Sequence, residues 1–302
     1  MLALVMQRDS KELSGSVAIF VVVNLSLLIM YMSSIPQIYA EATTWHTNLH
    51  LTTDFPKRQT EDKSMSQEQH TFVLVHGSWY GGWVWRNVKT RLCRLGHRAT
   101  SPTLTGVGER AHIGNDSASL NTHTEDIVAH IEMEDLRDVT LVGWSYGGMV
   151  TTGVSARIPN KIKSLIYLDA FVPEDGKAMI DYLPREVQDE WNIYREEDKP
   201  IPPLPVEFFR LKDPAIIKYV TSRVVPHPWR SVFEPLKPSS QVFGPPMSYI
   251  RCAGNDAAVY FDKTVGRLRS SIPGFRVKFL DTIHLAMLTM PEQTTEALVD
   301  LA

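Results

Sequence analysis

From residue 71 onward the chain alternates short, continuous apolar runs with longer stretches of helical periodicity. Thr71-Phe-Val-Leu-Val75, Val139-Thr-Leu-Val142, Ser164-Leu-Ile-Tyr-Leu168, Ser248-Tyr-Ile-Arg251 and Phe275-Arg-Val-Lys-Phe-Leu280 read as strands. The first four carry apolar residues in succession rather than at every second position, the pattern of strands covered on both faces. Between them, Ile127, Ile131 and Leu136 share one face of a helix beginning near Thr122, and Met149 to Ala156 reads as a second helix. Strands alternating with helices predict an α/β fold, a doubly wound and mostly parallel sheet. His97 to Leu104 is expected to be a further extended run.

The pattern breaks between Phe171 and Pro246, where thirteen of the chain's 19 prolines fall. Such a segment suits short helices inserted over the sheet as a lid, at about 171–246. Its aromatics, Tyr182, Trp191, Phe208, Phe209, Tyr219, Trp229 and Phe233, are expected to divide between lid core and an apolar pocket wall, so none is singled out as a binding residue.

Residues 1–64 form an N-terminal extension of different character. Val17 to Met32 is mostly apolar and uncharged, and Ala40-Glu41-Ala42 is an A-x-A site. Signal peptide, short membrane anchor and an upstream translation artefact ahead of a true start at Met65 all fit. Localisation follows the choice: cytoplasmic for a start at Met65, secreted or membrane-anchored if residues 17–32 are used. The stretch 65–302 is long enough for one domain with a substantial core.

A net charge of −3 with 43% hydrophobic residues and scattered Lys and Arg gives no footprint for nucleic acid. Cys93 and Cys252 are too few for a disulfide scaffold. No pair of histidines has convincing zinc spacing with a third ligand, so neither metal nor cofactor is expected.

The chemistry concentrates in Gly143-Trp-Ser-Tyr-Gly-Gly148, a G-x-S-x-G sequence between a strand and a helix. In that context the serine sits on a sharp, strained turn with its hydroxyl exposed, which makes Ser145 the candidate nucleophile. His76-Gly-Ser-Trp-Tyr-Gly-Gly82 directly follows the first strand, and an oxyanion hole needs one amide from such a loop and one from the residue after the nucleophile. Ser78 and Tyr146 are those candidates. His284, just after the last strand, is the best-placed base, since His76, His97, His112, His123 and His130 precede the serine and His227 lies among prolines. Gly106-Val-Gly-Glu-Arg-Ala111 matches a dinucleotide fingerprint, but no helix pattern opens there.

Together with Thr103-Leu-Thr-Gly-Val-Gly-Glu-Arg110, Leu168-Asp-Ala-Phe-Val-Pro-Glu-Asp-Gly176 and His284-Leu-Ala-Met-Leu288, these blocks resemble the α/β-hydrolase superfamily, and within it the small cofactor-free esterases that include plant methylesterases and hydroxynitrile lyases. The TLTGVGER and LDAFVPEDG blocks look most like bacterial members, among them esterases that hydrolyse the carbamate carbendazim. Trp144 departs from the group, which more often has histidine or glutamate there. The resemblance implies a serine hydrolase acting on a small apolar carboxylic ester or similar acyl bond, carbamates included. It allows two places for the carboxylate that orients His284: Asp169, at the end of the strand after the nucleophile, or Asp256, after the later strand, with Asp262 a third candidate. Asp169 is the choice made here and Asp256 the alternative. Two other readings share the site, a hydroxynitrile lyase and a non-catalytic small-ligand receptor. The lyases carry a lysine directly after the catalytic histidine, where this chain has Leu285.

Overall fold

A computed structural model describes residues 68–114, 118–236, 244–254 and 259–302. The extension 1–64, with its apolar segment 17–32, and the start at Met65 lie outside the described residues, and so does Asp256.

Six strands form one sheet: β1 (Thr71–Val75), β2 (Arg98–Thr100), β3 (Val139–Trp144), β4 (Ile162–Leu168), β5 (Met247–Cys252) and β6 (Arg276–Leu280). Their order is β2-β1-β3-β4-β5-β6 and every neighbouring pair is parallel. The central strand β3 is buried along its whole length, and four of the five β1 residues are buried, as continuous apolar runs require. The helices are α1 (Arg86–Arg94), α2 (Leu120–Met133), α3 (Gly147–Arg157), α4 (Arg185–Glu196), α5 (Pro214–Thr221), α6 (Trp229–Phe233), α7 (Val259–Ser271), α8 (Ala286–Thr289) and α9 (Pro291–Leu301). The chain winds outward from β1 in one direction to β2 and in the other through β3 to β6. That reversal opens a crevice at the carboxyl ends of β1 and β3, where ligands bind in sheets of this kind.

One difference from the sequence reading has a local cause. The extended run after His97 stays in the sheet only to Thr100: Pro102 cannot donate to a ladder, and the Leu104 N–H turns instead to His76 Nε2 at 3.1 Å. Cys93 is exposed on α1 and Cys252 is buried at the end of β5; both are free thiols. The fingerprint-like Gly106 to Ala111 stretch holds a single 3-10 turn, and α2 opens only at Leu120, capped by Ser119.

Between β4 and β5 the prolines mark where helices begin. Pro184 and Pro228 stand at the N-caps of α4 and α6, and Pro214 opens α5 after Asp213, whose carboxylate accepts from the Ala215 N–H at 2.8 Å. This inserted segment is gathered at a neck, with Gly176 N–H donating to Leu236 O (2.9 Å) and Leu236 N–H to Lys177 O (3.2 Å). It is tied to the loop after β1: Trp79 Nε1–H donates to Ile201 O at 3.0 Å, and Val225 N–H to Trp79 O at 3.1 Å.

Candidate active site

Ser145 follows β3 directly and has φ = 54°, in the left-handed region that non-glycine residues rarely occupy. The surrounding backbone holds it there. Its N–H donates to Leu168 O at 3.3 Å, and its carbonyl accepts from Gly148 N–H and Phe171 N–H, both at 3.1 Å. A side chain at Gly148 would put Cβ 2.1 Å from the Phe171 carbonyl oxygen, so α3 can start this close to the chain leaving β4 only with glycine there. Strain concentrated at one polar residue and over-determined by its neighbours is the usual mark of a functional position.

The loop after β1 presses on this turn: a Cβ on Gly77 would lie 2.9 Å from Ser145 Cβ. Ser78 and Tyr146, on the two sides of the crevice, are buried, and neither main-chain N–H has a hydrogen-bond partner among the described residues. Buried amides are nearly always paired, so two orphans beside one strained serine call for an acceptor. Both are braced from behind by histidines. The Tyr146 hydroxyl donates to His123 Nδ1 (2.8 Å), whose Nε2–H is satisfied by Thr105 O (2.8 Å). Trp79 N–H, next in chain to Ser78, donates to His227 Nδ1 at 3.4 Å, and His227 Nε2–H donates to Ser231 Oγ at 2.9 Å. His76 uses Nδ1–H on Gly77 O (2.8 Å) and accepts from Leu104. All three are fully buried. Burial pushes His76 and His123 down to about 4 and His227 well below the ordinary imidazole value, and each has one ring nitrogen committed as an acceptor, which fixes it neutral.

His284 follows β6 with Nδ1 2.8 Å from Asp169 Oδ2. Asp169 directly follows β4, has φ = 43° and is fully buried. Its other oxygen accepts from Arg251 Nη1 (2.9 Å) and from Cys252 N–H (3.2 Å). Asp262 is turned toward Arg251, as a two-point fork on Nε (2.8 Å) and Nη2 (3.1 Å). The imidazole lies parallel to Phe209 of the insertion at 6.0 Å between centroids and to Phe261 of α7 at 5.6 Å. Trp144, immediately before the serine, donates from its indole to the His284 carbonyl at 2.9 Å. The unusual tryptophan thus links the serine turn to the histidine loop.

Ser145, Ser78, Tyr146, Asp169 and His284 all stand at the carboxyl ends of β1, β3, β4 and β6. Of the insertion's aromatics, Phe209 reaches His284 and Trp191 packs edge-on against Trp79 at 5.9 Å, while Phe208 is exposed. Sequence reasoning passed over Arg251 and the His123–His227 pair. An arginine ending an apolar strand was a usable signal of a buried ion pair; the histidines come from separate elements and gave none. A cavity of about 270 Å³ lined by Trp83, Arg86, Ile216, Tyr219 and Leu288 lies between α5, the start of α1 and α8; a larger one, about 440 Å³, lies against α2, α3 and residues 234–236, and neither is lined by Ser145, Ser78, Tyr146, Asp169 or His284.

The sequence model of the alpha/beta hydrolase family matches residues 72–297. A carbendazim hydrolyzing esterase from Nocardioides sp. (strain SG-4G) is 38% identical over 245 residues, 76% of this chain and 98% of its own. Methylesterase 10 of Arabidopsis thaliana is 34% identical over 117 residues, 38% of this chain and 42% of its own. Among solved structures, an extracellular alpha/beta-hydrolase from a Paenibacillus species, described as sharing structural and functional homology with tobacco salicylic acid binding protein 2, superposes with a TM-score of 0.68 at 27% identity, covering 77% of this chain and 99% of its own. With this sheet, this order of strands and these relatives, the chain belongs to the alpha/beta hydrolase family, among the small esterases that include plant methylesterases and a carbendazim-hydrolysing enzyme.

Proposed function

We propose that the protein is a serine esterase that cleaves a small carboxylic ester, or the related acyl bond of a carbamate, through an acyl-enzyme. The observation that carries this is the strained Ser145 flanked by the two unpartnered amides of Ser78 and Tyr146. Ser145 Oγ attacks the carbonyl carbon as His284 takes the hydroxyl proton on Nε2. The carbonyl oxygen becomes an oxyanion held by the two amides, which are aimed in advance and need no reorganisation. Collapse breaks the bond to the alkoxy group, which leaves with the proton from His284. Water, deprotonated by the same imidazole, then attacks the acyl-serine and releases the acid. Asp169 keeps the imidazole in the tautomer with Nδ1 protonated and stabilises its cation.

The inserted segment acts as the lid: Phe209 closes one face of the imidazole, and its ties to Trp79 keep it against the oxyanion loop. The named activities of the relatives, on methyl esters and on carbendazim, make small methyl esters and a methyl carbamate the substrates to try first. A fluorophosphonate should label Ser145 once per chain, and Ser145→Ala should abolish both labelling and turnover of aryl acetates. More than about 1% residual activity in that variant, or a label on another residue, overturns the mechanism.

A further inference from the structure

The Asp169 carboxylate is divided between a base and a cation. Oδ2 meets His284, while Oδ1 accepts from Arg251, a guanidinium that is almost wholly buried at the end of β5. Arg251 is in turn fixed by Asp262 of α7, whose two oxygens take Nε and Nη2 and leave Nη1 for Asp169 and for the Cys252 carbonyl. A guanidinium held as a planar fork on one carboxylate presents its remaining N–H groups in fixed directions, so Asp169 cannot rotate without giving up a charge-assisted bond. Asp262 itself is exposed at its other side, 63% by side-chain area, which places one end of the relay in solvent and the other on the imidazole.

We propose that the Arg251–Asp262 pair is a positioning device for the catalytic carboxylate and sets the acid limb of the enzyme's pH–rate profile, a reading that rests on Asp169 being the acid of the serine mechanism above. The cation disfavours a second positive charge on the imidazole, and the Asp262 carboxylate partly cancels it, so the two residues act on the same proton in opposite directions. Among the described residues, the titratable groups packed around the pair include Tyr249 and Cys252 of β5, both raised by burial and neutral, and Tyr260 of α7, also raised by burial. The faces of the imidazole are covered by Phe209, Phe261 and Trp144, which carry no charge. Arg210, beside Phe209, and Asp281, on the histidine's own loop, are the nearest charged residues in sequence on those elements and stay constant in every variant below.

The test is the pH dependence of kcat/KM on an aryl acetate for the parent, Asp262→Asn, Arg251→Gln and Arg251→Lys, with Asp169→Asn and Ser145→Ala alongside. Asp262→Asn exposes the full effect of the cation and should move the acid limb down by about half a pH unit; Arg251→Gln removes the cation and should move it up by about one. Arg251→Lys keeps the charge without the fork, so its limb should stay near the parent's while kcat falls about tenfold and KM holds. A purely structural role lowers activity without opposite shifts. Limbs within about 0.2 pH unit of the parent, or shifts of the same sign, overturn the proposal. If Arg251→Gln does not fold, the exposed Asp262→Asn decides alone. Should Asp169→Asn keep activity within tenfold of the parent, it is the assignment of the acid that fails; an inactive Asp169→Asn with unshifted limbs refutes the pair's role only.

Discussion

Replacing Asp169 by Asn is the most demanding test of the site because the structure dictates how the amide must sit. At the Oδ1 position two donors converge, Arg251 Nη1 at 2.9 Å and the Cys252 N–H at 3.2 Å. Both require an oxygen, so the amide carbonyl takes that place and its NH2 group is turned to His284 Nδ1, now 2.8 Å from a donor instead of an acceptor. The imidazole must then accept at Nδ1 and carry its proton on Nε2, the nitrogen that has to be bare to take the Ser145 proton. The wrong tautomer, with no carboxylate to stabilise the cation, lowers kcat by about 10⁴-fold, or about 5.5 kcal/mol of transition-state stabilisation. Initial rates on aryl acetates across pH 6 to 9 measure it. Near-UV circular dichroism and a melting curve must accompany them, since a guanidinium losing its buried carboxylate costs folding stability as well. A folded Asp169→Asn with activity within tenfold of the parent would refute the reasoning, and an Asp256→Asn variant losing 10³-fold or more would move the acid to that position.

Acid should weaken the fold well before its carboxylates titrate. His76, His123 and His227 are held neutral in the native state and return to about 6.5 when the chain unfolds, so the unfolded state alone takes up protons as pH falls below that value. For His76 and His123 the stability kept above pH 6.5 is therefore lost between 6.5 and about 4, at up to about 1.4 kcal/mol per histidine per pH unit, and His227 adds a loss of the same sign below 6.5; a melting temperature unchanged between pH 7 and 5 would contradict it. A chain beginning at Met65 should be folded and as active as any longer one, because β1 starts at Thr71 and, among the described residues, no hydrophobic core residue precedes it; insoluble protein, or a loss of kcat/KM beyond twofold, would show that the extension contributes to the enzyme.

What the sequence revealed and what it hid divide along sequence distance. β1 was legible residue by residue and β3 nearly so, because strands buried on both faces write themselves as apolar runs. The serine turn and the loop after β1 were legible because close backbone approach demands glycine within a few residues of the polar group. The run after His97 read too long as a strand, since periodicity carries no record of where a neighbouring donor such as Leu104 is captured by a side chain. The contact between Asp169 and His284 spans 115 residues, and the sequence left Asp256 as an alternative to the chosen Asp169. Arg251 and Asp262 were invisible as a pair for the same reason. Charge that organises a site from behind leaves no local pattern, only an arginine where a strand should end in something apolar.

The neck at Gly176, Lys177 and Leu236 divides the molecule unequally. Every group proposed to carry the proton or to steer it from behind, Ser145, Asp169, Arg251, Asp262 and His284, is anchored on strands, turns and α7 outside the neck, while Phe209, which lies against the imidazole, and Trp191, which packs on Trp79, lie within it. The excursion leaves and rejoins the body where Gly176 and Lys177 are hydrogen-bonded to Leu236, so crossovers there would move it as one cassette. A recombination experiment with crossovers at those residues would exchange the Phe209 wall of the imidazole and the His227 brace of the oxyanion loop together, while leaving Ser145, Asp169 and His284 in place.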